Sequence, residues 1–382
     1  MKFLFLLIAS FAAATAGAQT PAPASVLPAV PAPSIEARAY LLLDVNSGQV
    51  LASRNASDKF EPASLTKLMT AYLAFGALKQ KSLKPDQVVP VSTRAWKAEG
   101  SRMFIEPRKP VTVDELLRGM IIQSGNDASI ALAEVIGGSE EAFAEMMNRE
   151  ARRLGLTNTR FTNATGLTSP ELYSTAEDLA RLAVALIRDY PEHYALYSQK
   201  KYRYNNITQA NRNRLLWLDP AVDGVKTGYT ENAGYCLITS AKRGERRLVS
   251  VVLGTVSESA RAAESQKLLN WGFQAYDSVR LYARNQPVTE LRVWKGANDM
   301  LKAGFTGDLY VALPRGQAGK LKARVESLQP LLAPVQPGQT VATLKLELDG
   351  KPYRELPVLA LESMPVAGLF GRAWDTIRLL FK

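Results

Sequence analysis

Three short clusters in this chain set side chains of complementary chemistry at fixed spacing. Ser64-Leu65-Thr66-Lys67 opens an apolar helical run and places a hydroxyl and an amine three positions apart, on one face of a helix. A neutral amine so placed can take the hydroxyl proton and leave a nucleophilic oxygen. Lysine is neutral near pH 7 only where burial and neighbouring positive charge pull its pKa down. Ser124-Gly125-Asn126 offers a second hydroxyl and a carboxamide, able to relay a proton and hold a substrate amide. Lys226-Thr227-Gly228 offers an ammonium and a hydroxyl that can bind a carboxylate, with a glycine that permits close approach to the strand backbone.

None of the three is specific alone. Ser198-Gln199-Lys200-Lys201 repeats the first pattern and Ser53-Arg54-Asn55 the second. Ser, Gly and Asn are also ordinary cap and turn residues, and the third cluster reads equally as a strand entering a turn. Their order and their separations, about sixty and then about a hundred residues, carry the weight.

The elements around them must bring these clusters together. Ala39 to Val45 and Gln49 to Ser53, joined through Asn46-Ser47-Gly48, read as a hairpin. From Pro62 the spacing becomes helical, with Leu65, Leu68, Met69, Tyr72, Leu73 and Phe75 giving a wide apolar face that predicts a buried helix. Further helices are expected over 113–120, 127–136, 139–154 and 176–187. Strand signals return at Cys236 to Ala241 and Leu248 to Gly254, and 222–228 should form an edge strand. Strands at both ends with helices between predict an α+β domain whose termini share one antiparallel sheet. After a helix over 262–276, short strand-like runs (291–294, 309–313, 321–325, 340–348) broken by Pro and Gly predict a small all-β sandwich.

Bulk properties restrict the partners. A chain of 382 residues, 47% hydrophobic, is long for one compact domain. Met1-Lys2, the apolar run to Ala14 and Ala16-Gly17-Ala18 form a secretory signal with cleavage expected after Ala18; the run is too short for a membrane span. The net charge of +11 then favours lipid headgroups or acidic wall polymers, and no nucleic-acid motif is present. Cys236 is the single cysteine, so no intrachain disulfide forms. His193 is the single histidine and reads as a solvated one, leaving neither a Cys/His zinc site nor a Ser-His-Asp triad with a good candidate. The expected organisation is a signal (1–18), a flexible Pro/Ala leader (19–35), a first folded domain (36–277), a β-rich domain (278–366) and a terminal amphipathic helix (367–382). In that helix Leu369, Phe370, Ala373, Trp374, Ile377, Leu380 and Phe381 fall opposite Arg372, Asp375, Arg378 and Lys382. It reads as an element lying in a bilayer interface, the alternative being a helix docked on its own protein.

The conjunction Ser-x-x-Lys, Ser-x-Asn, Lys-Thr-Gly is the signature shared by penicillin-binding proteins and class A β-lactamases. Over essentially its whole mature length the chain resembles the low-molecular-mass penicillin-binding proteins that are D-alanyl-D-alanine carboxypeptidases. That resemblance implies Ser64 as acylated nucleophile, Lys67 as its base, Ser124 and Asn126 as the second motif, and Lys226, Thr227 and Gly228 as the third. It implies Arg261 as the holder of the terminal carboxylate, Arg212 as a further arginine of the site, and the N–H groups of Ser64 and Tyr229 as the oxyanion hole. The expected substrate is the peptidoglycan pentapeptide, β-lactams should be covalent inhibitors, the terminal helix should anchor the enzyme on the periplasmic face of the inner membrane, and no metal or organic cofactor is required. Three other readings stay open. A β-lactamase shares the motifs, but Glu171-Leu172-Tyr173-Ser174 lacks the Glu-x-x-Leu-Asn arrangement of class A. A DD-endopeptidase would use the same chemistry on cross-links, and a non-catalytic wall-binding scaffold would keep the fold.

Overall fold

The structure, a computed structural model, describes residues 30–379; the expected signal peptide lies outside them. Five antiparallel strands form the central sheet: β1 (Ala39–Asp44), β2 (Gln49–Arg54), β3 (Val222–Thr230), β4 (Gly234–Arg243) and β5 (Arg246–Thr255). Their order, β2-β1-β5-β4-β3, joins the two ends of the domain through the β1–β5 pair and leaves β3 at an edge. The β1–β2 turn closes because the Asp44 carboxylate accepts from the backbone N–H and hydroxyl of Ser47. Gly48 supplies the left-handed φ of 68° that the turn requires.

Both sheet faces are covered, so the strands read as near-continuous apolar runs. Leu41, Val249 and Val251 face a cluster built from α1 (Lys67–Lys79), α2 (Val113–Arg118), α3 (Asn126–Gly137), α4 (Glu140–Arg153) and α5 (Ala176–Asp189). Leu42, Leu248 and Val252 face α6 (Glu258–Ala275). As expected, α1 is buried along most of its surface. The helix expected from 262 begins earlier, because Ser257 accepts from the N–H of Ala260 and caps α6 at Glu258. Arg261 therefore stands in the first helical turn.

Two further expectations are corrected. The leader does not stay unpacked up to residue 35: Ile35 is fully buried against the α6 side of the sheet, and Trp271 and Lys267 donate to the carbonyls of Pro31 and Ser34. His193 is not a solvated residue; it is half-buried and stacks on Phe75 with centroids 4.9 Å apart.

Beyond α6 the strands are β6 (Tyr276–Tyr282), β7 (Pro287–Trp294), β8 (Met300–Gly304), β9 (Leu309–Pro314), β10 (Leu321–Ser327), β11 (Leu331–Leu332), β12 (Thr340–Leu348) and β13 (Lys351–Ala360). Among the described residues, one compact unit takes 30–286 together with 305–320, and the other takes 287–304 with 321–379. The stretch 309–313, expected in the β-rich domain, thus pairs with β6 in the first unit. The second unit is a six-stranded sheet of order β10-β12-β13-β8-β7-β11. Its last element, α7 (Leu369–Leu379), has no buried residue, and Phe370 and Trp374 are 95% and 60% exposed. Leu380 and Phe381, expected on the same face, lie outside the described residues. No described helix is long and apolar enough to cross a membrane.

Candidate active site

A cleft of about 330 Å³ opens between β3, the turn before α1, the turn before α3 and the loop 161–168; Ser64, Ser124, Asn126, Thr227, Gly228, Arg212 and Arg261 all line it. Ser64 lies in a 3-10 turn, Ala63–Thr66, that precedes α1. Ala63 enters that turn at φ 48°, in the left-handed region, and its carbonyl packs against Gly166, where a Cβ would come within 1.8 Å of it. One turn on, Lys67 is 1% exposed. Its Nζ donates to Ser64 Oγ at 3.0 Å and to the carbonyl of Thr165 at 2.6 Å. Burial, aided by the Arg212 guanidinium and opposed by Asp127 and Glu140, pulls Lys67 down to about 7, within reach of the neutral form a base requires.

Ser124 ends the π-helical turn Gly119–Gln123 with φ 68°, a left-handed conformation uncommon outside glycine. Its Oγ accepts from Lys226 Nζ at 2.8 Å, and the same ammonium reaches the Thr227 carbonyl at 2.9 Å. Burial and the neighbouring Lys67, Arg212 and Arg261 cations hold Lys226 well below the ordinary lysine range. Asn126 donates to the Glu99 carbonyl at 2.6 Å, while its Oδ1 is buried without a partner. A buried acceptor left open at a cleft is an unmet demand for a donor. The basic groups of the three clusters thus form two hydroxyl–amine pairs, Ser64 with Lys67 and Ser124 with Lys226.

Gly228 has a further role besides the expected one. A Cβ there would meet Leu65, the Pro62 carbonyl and Ala63 at 3.2–3.3 Å, so the glycine lets β3 pack directly on the nucleophile turn. Arg261 Nη1 lies 3.4 Å from the Gly228 carbonyl, and its guanidinium carbon sits 5.6 Å above the Tyr235 ring. Arg212 is exposed, forms no ion pair among the described residues, and projects between Asn211 and Asn213, whose amides clamp the Gln199 and Gly224 carbonyls. The decoys fall elsewhere: Ser198 is exposed and donates to Ala195, and Ser53-Arg54-Asn55 ends strand β2. Glu171 is exposed and paired with Arg160; among the described residues no carboxylate lines the cleft.

Several site residues had no signal in the motifs. Asn163 Oδ1 accepts from the N–H of Thr165, the hydroxyl of Thr165 and the N–H of Gly166, which shapes the turn that presents the Thr165 carbonyl to Lys67. Asp127 accepts from the N–H groups of Met103, Phe104 and Ile105 and holds the 99–105 segment over the cleft. Glu140 accepts from Ala164 and pairs with Arg94. The Asn-to-Gly spacing of 163–166 signals a turn but nothing of its contact with Lys67, 98 positions away.

Residues 27–257 match the family described as D-alanyl-D-alanine carboxypeptidase, and residues 276–366 match the penicillin-binding protein 5 C-terminal domain. The chain belongs to the D-alanyl-D-alanine carboxypeptidase family. It is 44% identical to the D-alanyl-D-alanine carboxypeptidase DacC of Escherichia coli (strain K12), covering 92% of this chain and 90% of that protein. It is 40% identical to DacA of Haemophilus influenzae over 92% and 91%. Among solved structures, penicillin-binding protein 5 of Haemophilus influenzae superposes with a TM-score of 0.85 at 39% identity, over 88% of this chain and all of that one. Penicillin-binding protein D2 of Listeria monocytogenes, in its ampicillin-bound form, covers 64% of this chain and 99% of its own at 31% identity and a TM-score of 0.59. The protein is a D-alanyl-D-alanine carboxypeptidase that acts on peptidoglycan, with a penicillin-binding-protein fold and a β-rich C-terminal domain.

Proposed function

We propose that the carboxypeptidase works through an acyl-enzyme on Ser64, with Lys67 as the base. The observation that carries this is the 3.0 Å contact between Ser64 Oγ and a buried amine brought down to about 7. Neutral Lys67 takes the Ser64 proton as Oγ attacks the carbonyl of the penultimate D-alanine. The backbone N–H groups of Ser64 and Tyr229 receive the oxyanion. Ser124, in contact with Lys226, relays the proton taken by Lys67 to the departing amine, which leaves Ser124 a hydroxyl and Lys67 neutral again. The released D-alanine carries a carboxylate that Arg261 and Thr227 hold, with Arg212 adding positive charge at the cleft. The open Oδ1 of Asn126 accepts an N–H of the stem. Water then cleaves the ester, and Lys67 is again the base.

The lack of a carboxylate among the described residues that line the cleft favours this reading over a class A β-lactamase, which uses a glutamate to activate the deacylating water. Penicillin should therefore acylate Ser64 and leave slowly. The catalytic domain is assigned to 36–277 and the β-rich domain to 278–366, with the 305–320 segment returning to the first unit. The exposed apolar side chains of α7, flanked by Arg372 and by Arg378, whose guanidinium lies over the Trp374 ring, support peripheral anchoring at the periplasmic face of the inner membrane. Mass spectrometry of the penicillin adduct tests the core of the proposal: the label is expected on Ser64 alone, and a folded protein that takes no label would favour a non-catalytic wall-binding role.

A further inference from the structure

We propose that Tyr229 sets the size of the residue released, admitting a terminal D-amino acid with a methyl side chain and turning away longer ones. This rests on the reading of Arg261 and Thr227 as the carboxylate clamp. Tyr229 lines the cleft beside Gly228, Thr230 and Arg261 and is 50% exposed. Side chains two apart on a strand share a face, so Tyr229 stands on the face of Thr227, while the position between them, Gly228, faces the nucleophile turn. Tyr229 is paired in register with Tyr235, and the two rings lie with centroids 4.4 Å apart and planes 35° apart. The far ring, Tyr235, sits under the Arg261 guanidinium. Arginine and both tyrosines therefore form one stack at the carboxylate end of the cleft.

The α-carbon of the leaving residue is one bond from the carboxylate, and its side chain one bond further. With the carboxylate on Arg261, that side chain lies among the residues next to Arg261, where Gly228 and Thr230 are small and Tyr229 is the one large ring. The ring cannot retreat into the sheet, because Tyr235 fills that side. A methyl group rests against the ring; a longer chain must displace it. The same wall bears on cross-linked stems. Where the cross-link runs through a diamino dicarboxylic acid whose cross-linking amine stands α to a carboxylate, that carboxylate would be held by Arg261, but the side chain continues into a second stem. Tyr229, rather than Arg261, then separates removal of a terminal D-alanine from cleavage of a cross-link.

The test uses the full-length protein and acyl-tripeptides ending in D-Ala-Gly, D-Ala-D-Ala, D-Ala-D-Leu and D-Ala-D-Phe. An apolar wall discriminates by roughly 10- to 200-fold per methylene, so kcat/KM for the D-Leu peptide should fall at least about tenfold below that for D-Ala-D-Ala. Tyr229→Ala should narrow that gap about tenfold, Tyr229→Phe should keep it, and Tyr235→Ala should narrow it in part by freeing the ring. A flat wild-type series overturns the inference without any variant, as does a gap that Tyr229→Ala leaves unmoved. Arg261→Ala tells this failure from failure of the clamp. If KM for D-Ala-D-Ala is unchanged in that variant, the clamp reading falls and the inference with it; if KM rises while the size series is flat, the inference alone falls.

Discussion

The two units bury different kinds of side chain. In the catalytic unit Lys67, Lys226, Arg261, Asp127 and Glu140 are all buried. In the β-rich unit no buried side chain among the described residues carries a formal charge, from Leu291 and Trp294 to Leu344, Val358 and Met364. Taking a charge out of water costs several kcal/mol unless it is paired and hydrogen-bonded. The catalytic unit meets that cost with specific partners: Asp127 holds three backbone amides of the 103–105 segment, and Glu140 holds Ala164 and Arg94. Lys67 is only partly compensated, and its lowered pKa is the result. The difference shows where the fold carries an electrostatic penalty, and the proposed role of Lys67 as base rests on that penalty. In the β-rich unit burial lowers the pKa of the partly buried Arg354, but no fully buried side chain carries a formal charge, and its most exposed apolar side chains, Phe370 and Leu369, stand on α7.

The sharpest break in this comparison comes from the hydroxyl–amine pair itself. Ser64→Ala and Lys67→Ala should each lower kcat/KM for a D-Ala-D-Ala peptide by at least ~10³-fold, since groups that act as a unit fail together; steady-state release of D-alanine measures it. Arg261→Ala removes charge-assisted bonds of ~1.5–3 kcal/mol, which should raise KM by about 10- to 100-fold, read from initial rates against peptide concentration. Asn163→Ala tests a residue that acts only through the Thr165 carbonyl. Misplacing the base should cost about tenfold in kcat. Because that carbonyl favours the charged form of Lys67, its loss should also move the acid limb of the pH–rate profile to lower pH, a shift that general destabilisation would not produce. On the β-rich side, Trp374→Glu should leave turnover of a soluble peptide within about twofold while weakening sedimentation with anionic vesicles by ~10-fold or more.

The sequence made the chemistry legible where it is local and hid it where it is not. Ser64 and Lys67 are one helical turn apart, and Lys226, Thr227 and Gly228 are consecutive, so their spacing reports their geometry. The loop that orders Lys67 reaches it across 98 positions, and nothing in Asn163-Ala164-Thr165-Gly166 encodes that contact. Strand β9 was expected with the β-rich domain because its alternation is like that of its neighbours; only long-range pairing with β6, such as Tyr276 with Pro314, assigns it to the catalytic unit. Strand β13 has a weak signal in the sequence because Lys351, Arg354, Glu355 and Pro357 obscure its apolar positions. The start of α6 depended on one cap, Ser257, and with it the placement of Arg261.

The central claim is that an uncharged Lys67 activates Ser64. Acylation by penicillin, followed as a single-turnover rate between pH 5 and 9 with the adduct mapped at each pH, measures this most directly. Below the Lys67 pKa of about 7 the base is protonated, so the rate should rise about tenfold per pH unit, level off above 7 and place the label on Ser64 throughout. A rate independent of pH across that range, or a label on any other residue, would contradict the account.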